Sequence, residues 1–91
     1  MNRSFLARDL MVNWHPYTQM RDCTAIPPVF IKRARGIKLV DDKGNWYYDM
    51  ISSWWCNVHG HGHPHIRQAI SRQFAKLDHV LFAGFTHQPA I

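Results

Sequence analysis

The stretch from Val29 to Ile51 constrains the fold most. Two runs of β-branched and aromatic residues flank Asp41-Asp42-Lys43-Gly44-Asn45, a five-residue segment dense in turn formers. Ile37-Lys38-Leu39-Val40 alternates in polarity, and Trp46-Tyr47-Tyr48-Asp49-Met50-Ile51 follows the loop. Period-two patterning on both sides of a short glycine-bearing loop predicts an antiparallel hairpin, with Gly44 free to take positive φ. Upstream, Val29-Phe30-Ile31 starts a further strand, and Gly36 supplies the turn or bulge into the next. Three strands in sequence order, 29–35, 37–40 and 46–51, are the expected sheet.

Helices flank it. Phe5, Leu6, Leu10 and Met11 recur at roughly helical spacing behind Ser4, a suitable N-cap, so a short helix is expected over 4–12. Pro16 ends it, because the residue before proline avoids the helical region. With Ile26-Pro27-Pro28 as a second breaker, residues 13–28 should be irregular. Pro64 suits a first helical turn. Ile66, Ala69, Ile70, Phe74 and Leu77 then line one face, which predicts a helix over 64–78. The chain is therefore α+β. Its tail holds Gly84 and Pro89 and stops on Ala90-Ile91 without a closing strand, which reads as a truncated chain.

Composition excludes several functions. The hydrophobic fraction of 46% argues against disorder. The net charge is +5, from 11 Lys and Arg against 6 acidic residues, all Asp. Apart from Lys32, Arg33, Arg35 and Lys38 these charges are scattered, which speaks against a nucleic-acid partner. Arg8 and Asp9 interrupt the N-terminal apolar residues, so no signal-peptide core forms, and no stretch reaches the ~20 apolar residues of a membrane span. Cys23 and Cys56 form no CxxC pair, and unpaired thiols fit a reducing cytoplasm.

Two aromatic groups and a histidine run remain as candidate sites. His59, His61, His63 and His65 alternate with Gly60, Gly62 and Pro64. Imidazoles ligate metals, but alternation points extended side chains to opposite faces, and no Cys or Glu completes a recognised spacing. A glycine-histidine turn under the following helix and a small metal-binding module are both compatible with the pattern. Ser52-Ser53-Trp54-Trp55 leaves a strand for a loop, where neighbouring tryptophans point apart: either one faces a cavity and one the core, or both belong to the core. Tyr17, fixed behind Pro16, is either a pocket wall or a lid over the core. No G-x-S-x-G, Walker or G-x-G-x-x-G motif is present.

Taken together, the ordered segments are more specific. Trp14-His15-Pro16-Tyr17-Thr18-Gln19-Met20, Asp49-Met50-Ile51-Ser52-Ser53-Trp54-Trp55, His59-Gly60, His63-Pro64 and Phe82-Ala83-Gly84-Phe85-Thr86-His87-Gln88-Pro89-Ala90 resemble the N-terminal region of class III aminotransferases. The resemblance runs from about residue 13 to the end. The first two segments are similar to the biotin-pathway branch, while the H-P helix start and G-x-T-H tail are shared more widely. Gln19 in place of a serine, and Ala83-Gly84 in place of a glycine pair, are the departures.

The resemblance implies a fold type I, α/β, pyridoxal 5'-phosphate-dependent homodimer with active sites at the subunit interface. Residues 1–91 would form part of its small domain. The implied reaction moves the amino group of S-adenosylmethionine to 8-amino-7-oxononanoate, giving 7,8-diaminononanoate. Other class III members use lysine or an ω-amino acid as donor. The resemblance places Tyr17 and Trp54 as substrate-binding residues and leaves Trp55 to the core. It places the Schiff-base lysine and all cofactor-binding groups beyond this region; Lys32, Lys38, Lys43 and Lys76 match none of them. The chain alone is then expected to be catalytically silent.

Overall fold

The computed structural model describes residues 4–91. Helix α1, Phe5–Val12, is capped by the Ser4 side chain, which accepts from the Ala7 amide at 3.2 Å. It ends where Asn13 turns extended ahead of Pro16. Its Phe5 ring rests on Phe30, with centroids 5.2 Å apart. The irregular stretch that follows contains one regular element, a 3-10 turn over Met20–Thr24.

The sheet has three antiparallel strands in the order β1-β2-β3, comprising Ile31–Arg35, Lys38–Asp41 and Trp46–Tyr48. Strand β1 starts later than the sequence pattern predicts, because Val29 follows Pro27-Pro28 and makes no ladder pairing. A bulge between Ile31 and Arg33 shifts its register against β2. Gly36, at φ +58°, makes the turn into β2.

Asp41 organises the hairpin loop. Its carboxylate accepts from the Lys43 and Asn45 amides, the Asn45 side chain and the Tyr47 hydroxyl, all at 2.8–3.0 Å. That saturation explains how an aspartate is buried here. On one face Trp46 meets Tyr48 edge-to-face at 5.0 Å, and the Lys38 ammonium lies 4.8 Å over the Trp46 ring.

Strand β3 is shorter than expected. It ends at Tyr48: the Asp49 amide still reaches the Ile37 carbonyl at 2.8 Å, and the chain then leaves the sheet as the Asp49 side chain turns to Ser53 and His61. Ser52–Trp55 forms a single helical turn, α2. Helix α3, Pro64–Lys76, begins on Pro64 as anticipated and stops short of residue 78, because Leu77 is extended and receives the Gln73 side chain on its carbonyl. Its apolar face is exposed: Ile70 and Phe74 have no covering layer. Among the described residues only Cys23 and Asp41 are buried. The radius of gyration is 18.1 Å, against about 12 Å for a compact chain of this length. The elements are well formed locally, but they enclose no core of their own.

Candidate functional site

Tyr17 sits at the tip of the loop after α1. Asp9, in the last turns of α1, holds that loop: one carboxylate oxygen accepts from the Asn13 side chain and the other pairs with His15 Nε2, both at 2.6 Å. The Asn13 hydrogen bond first, and His15 second, keep the Asp9 carboxyl below its usual pKa. The His15 amide points at Met20 Sδ, and the Thr18 hydroxyl donates to the Pro16 carbonyl. Tyr17 is left at φ +51° with its ring 95% exposed.

Trp54 is held in an analogous manner. Ser52, Ser53, Trp54 and Trp55 all have positive φ, between 47° and 70°. Ser53 and Trp54 fall at (47°, 54°) and (60°, 52°), so α2 is a turn of left-handed helix. For L-residues other than glycine this costs about 1–2 kcal/mol per residue, so the surrounding structure must over-determine it.

Asp49 supplies the constraint. Its Oδ1 accepts the Ser53 amide at 2.8 Å, and its Oδ2 accepts the Ser53 hydroxyl and His61 Nε2, each at 2.7 Å. The Ser53 amide, the Ser53 hydroxyl and His61, in that order, hold the Asp49 carboxyl down at about 2. The Trp55 amide closes the turn onto the Ile51 carbonyl at 2.9 Å.

His61 is fixed from behind. It exchanges two backbone hydrogen bonds with Gly36, at 2.8 and 3.0 Å, in an isolated bridge. The close approach is possible because Gly60 lies at φ +80° directly against the Gly36 backbone.

The two loops bring their aromatic rings together. Tyr17 meets Trp54 edge-to-face, with centroids 5.2 Å apart and planes at 77°. A cleft of about 510 Å³ opens beside the pair, lined by Tyr17, Trp54 and Trp55, a volume in the range of small-molecule sites. Trp55 thus departs from the expectation of a core residue. It is 83% exposed and lies on the cleft. The left-handed turn allows this: an extended chain would send neighbours to opposite faces, whereas neighbours in a helical turn are only about 100° apart, so both rings can border one cleft.

The cleft lining is aromatic: it carries no amine for a Schiff base, and beyond the Tyr17 hydroxyl and the indole N–H groups it offers no side-chain donor to a phosphate. Lys38, the one lysine with a defined ring contact, lies on Trp46. These residues therefore do not fit a carbonyl cofactor or its phosphate. The histidine run does not gather into a metal centre: His59 and His63 pack against each other at 5.9 Å while His61 turns to Asp49. Among the described residues no group of three or more His, Cys, Asp or Glu converges. No helix among them is long and apolar enough to cross a membrane.

The anchors Asp9, His15, Asp49 and His61 escaped the sequence reading. Each pair is separated by six or more residues and lacks a periodic signature. Only the Asp49-to-Ser53 spacing hinted at a carboxylate reaching a turn amide.

The chain is similar to proteins of one family. The family model "Aminotransferase class-III" matches residues 18–91. A Helicobacter pylori protein named adenosylmethionine-8-amino-7-oxononanoate aminotransferase is 46% identical over 85 residues, covering 93% of this chain and 20% of that protein. A Nitratidesulfovibrio vulgaris protein of the same name is 49% identical over 78 residues, covering 86% and 14%. Among solved structures, the adenosylmethionine-8-amino-7-oxononanoate aminotransferase of Methanocaldococcus jannaschii superposes with a TM-score of 0.85 at 38% identity, over 92% of this chain and 19% of that one. An omega transaminase from Pseudomonas jessenii in complex with PMP gives 0.87 at 29% identity, over 97% and 20%. The chain spans about a fifth, or less, of the length of the curated relatives it matches.

Proposed function

Because this chain belongs to the class III aminotransferases, we propose that residues 1–91 are the N-terminal segment of a biotin-pathway aminotransferase, forming part of its small domain and one wall of its substrate pocket. The reaction is transfer of the amino group of S-adenosylmethionine to 8-amino-7-oxononanoate, giving 7,8-diaminononanoate. The full-length enzyme is a fold type I cytoplasmic homodimer. Pyridoxal 5'-phosphate, when bound, supplies the electron sink that amino transfer needs, and it is held by groups outside this segment.

The observation that carries the reading is the meeting of Tyr17 and Trp54 across an apolar cleft. Both come from segments similar to the biotin-pathway branch. A planar adenine gains dispersion and apolar burial on the exposed Tyr17 face. A sulfonium is drawn to the electron-rich face of Trp54, and the alkyl chain of the keto acid buries area on the same indole. Both donor and acceptor thus find matching chemistry in one corner, which a lysine or ω-amino acid donor would use only in part. Trp55 enlarges the apolar wall and helps exclude water.

The test is steady-state kinetics on the full-length enzyme. A cation over a desolvated aromatic face contributes about 2 kcal/mol, so Trp54→Ala should lower kcat/KM for S-adenosylmethionine roughly ten- to a hundredfold. Tyr17→Phe keeps the ring and should change it far less. Unaltered donor kinetics in Trp54→Ala, together with a collapsed melting temperature, would refute the wall assignment. Turnover with lysine in place of S-adenosylmethionine would move the enzyme to the other donor class.

A further inference from the structure

The Asp49 carboxylate is nearly sealed, with 6% of its side chain exposed, and does not line the cleft. It cannot exchange a proton with a substrate there. Yet it accepts three hydrogen bonds, two of them from Ser53, a residue in the left-handed region. The third comes from His61. The β1–β2 turn grips both partners, Ile37 taking the Asp49 amide and Gly36 pairing with the His61 backbone. The carboxylate is therefore fixed relative to the sheet, and Ser53 is fixed relative to the carboxylate. Trp54 is the next residue.

We propose that Asp49, seated by His61, is a positioning residue for amino transfer: it holds Ser53 in the left-handed conformation and so sets the Trp54 ring against Tyr17. The proposal rests on the reading of Tyr17 and Trp54 as pocket walls. Without the carboxylate, the Ser53 amide and hydroxyl lose their common acceptor. Residues 52–55 then return to right-handed or extended backbone, the regions open to L-residues. In either conformation the indole leaves its edge-to-face contact, and the corner that receives the donor is lost. Asp49 acts on the reaction only through Trp54.

That dependence is measurable in the full-length enzyme by a double-mutant cycle on kcat/KM for S-adenosylmethionine. Asp49→Ala should lower it about tenfold or more, as Trp54→Ala does. The combined variant should be no worse than the poorer single variant, because a misplaced ring and a missing ring are equivalent. Ser53→Gly placed on Asp49→Ala should restore most of the loss, since glycine takes positive φ without an anchor; a role confined to global stability predicts no such rescue.

Additive losses, or Asp49→Ala kinetics equal to wild type, would overturn the proposal. Trp54→Ala kinetics equal to wild type would overturn the wall reading and this proposal with it, whereas an impaired Trp54→Ala beside an unimpaired Asp49→Ala removes the positioning role alone. Should Asp49→Ala fail to accumulate as folded protein, Asp49→Asn keeps the shape with one acceptor oxygen and runs the same cycle.

Discussion

Replacing Gly60 by alanine would put a methyl group 3.1 Å from the Gly36 Cα, 3.2 Å from its carbonyl oxygen and 3.3 Å from its carbonyl carbon. All three atoms are backbone, so no side chain can rotate away. Two costs add. The first is the left-handed backbone, since Gly60 lies at φ +80°, and a β-carbon there costs about 1–2 kcal/mol. The second is the bridge: separating residues 60 and 36 strains both Gly36–His61 hydrogen bonds, each contributing about 0.5–1.5 kcal/mol net. Together they amount to about 2–5 kcal/mol for Gly60→Ala. Gly62 is the internal control. It also has positive φ, at +67°, but nothing lies within 4 Å of its added Cβ. Gly62→Ala should therefore cost only the backbone share of about 1–2 kcal/mol. Urea unfolding of the two full-length variants, compared at equal m-value, gives the difference. Agreement of the two within about 0.5 kcal/mol would show that the Gly60–Gly36 contact is not constraining and that the reasoning on the bridge is wrong.

Two further outcomes follow from the carboxylate and from the missing core. The Asp49 carboxyl is lowered from 3.8 to about 2 by the Ser53 amide and hydroxyl and by His61, so its contribution to stability is complete above 3.8 and is lost as pH falls toward 2; the stability difference between wild type and Asp49→Asn should be flat near neutrality and shrink only inside that acid window, and a difference that already shrinks near neutrality would refute the assignment to this carboxylate. The isolated 91-residue chain, with only Cys23 and Asp41 buried among its described residues, should show no cooperative thermal transition by circular dichroism; a sharp two-state melt with dispersed amide signals would contradict it.

Local rules made much of this structure legible. The Ser4 cap, the Pro64 start and the Gly44 loop depend on neighbours in sequence, and each formed where its residues predicted it. Tyr17 and Trp54 were singled out through resemblance rather than periodicity, and that their rings meet was in neither signal. What failed was non-local. The end of β3 was read three residues too far, because Met50 and Ile51 suit a strand by composition. The Asp49–His61 pairing removes them from it, and no pattern in either segment announces a partner twelve residues away. The hand of α2 was illegible for the same reason: two serines and two tryptophans have no preference for positive φ, and an acceptor outside the turn decides it.

The loops that carry Tyr17 and Trp54 are braced by separate histidine–aspartate clasps, His15 with Asp9 and His61 with Asp49, which share no residue. Each clasp lies behind its ring, outside the cleft lining. Inheritance can therefore act on the corner in two independent ways. A lineage that loosens one clasp re-aims one ring while the other stays put, and every residue of the cleft lining is unchanged. Two chains with identical cleft linings can then differ in the shape of the cleft, and the residues that distinguish them lie in the loops behind the rings.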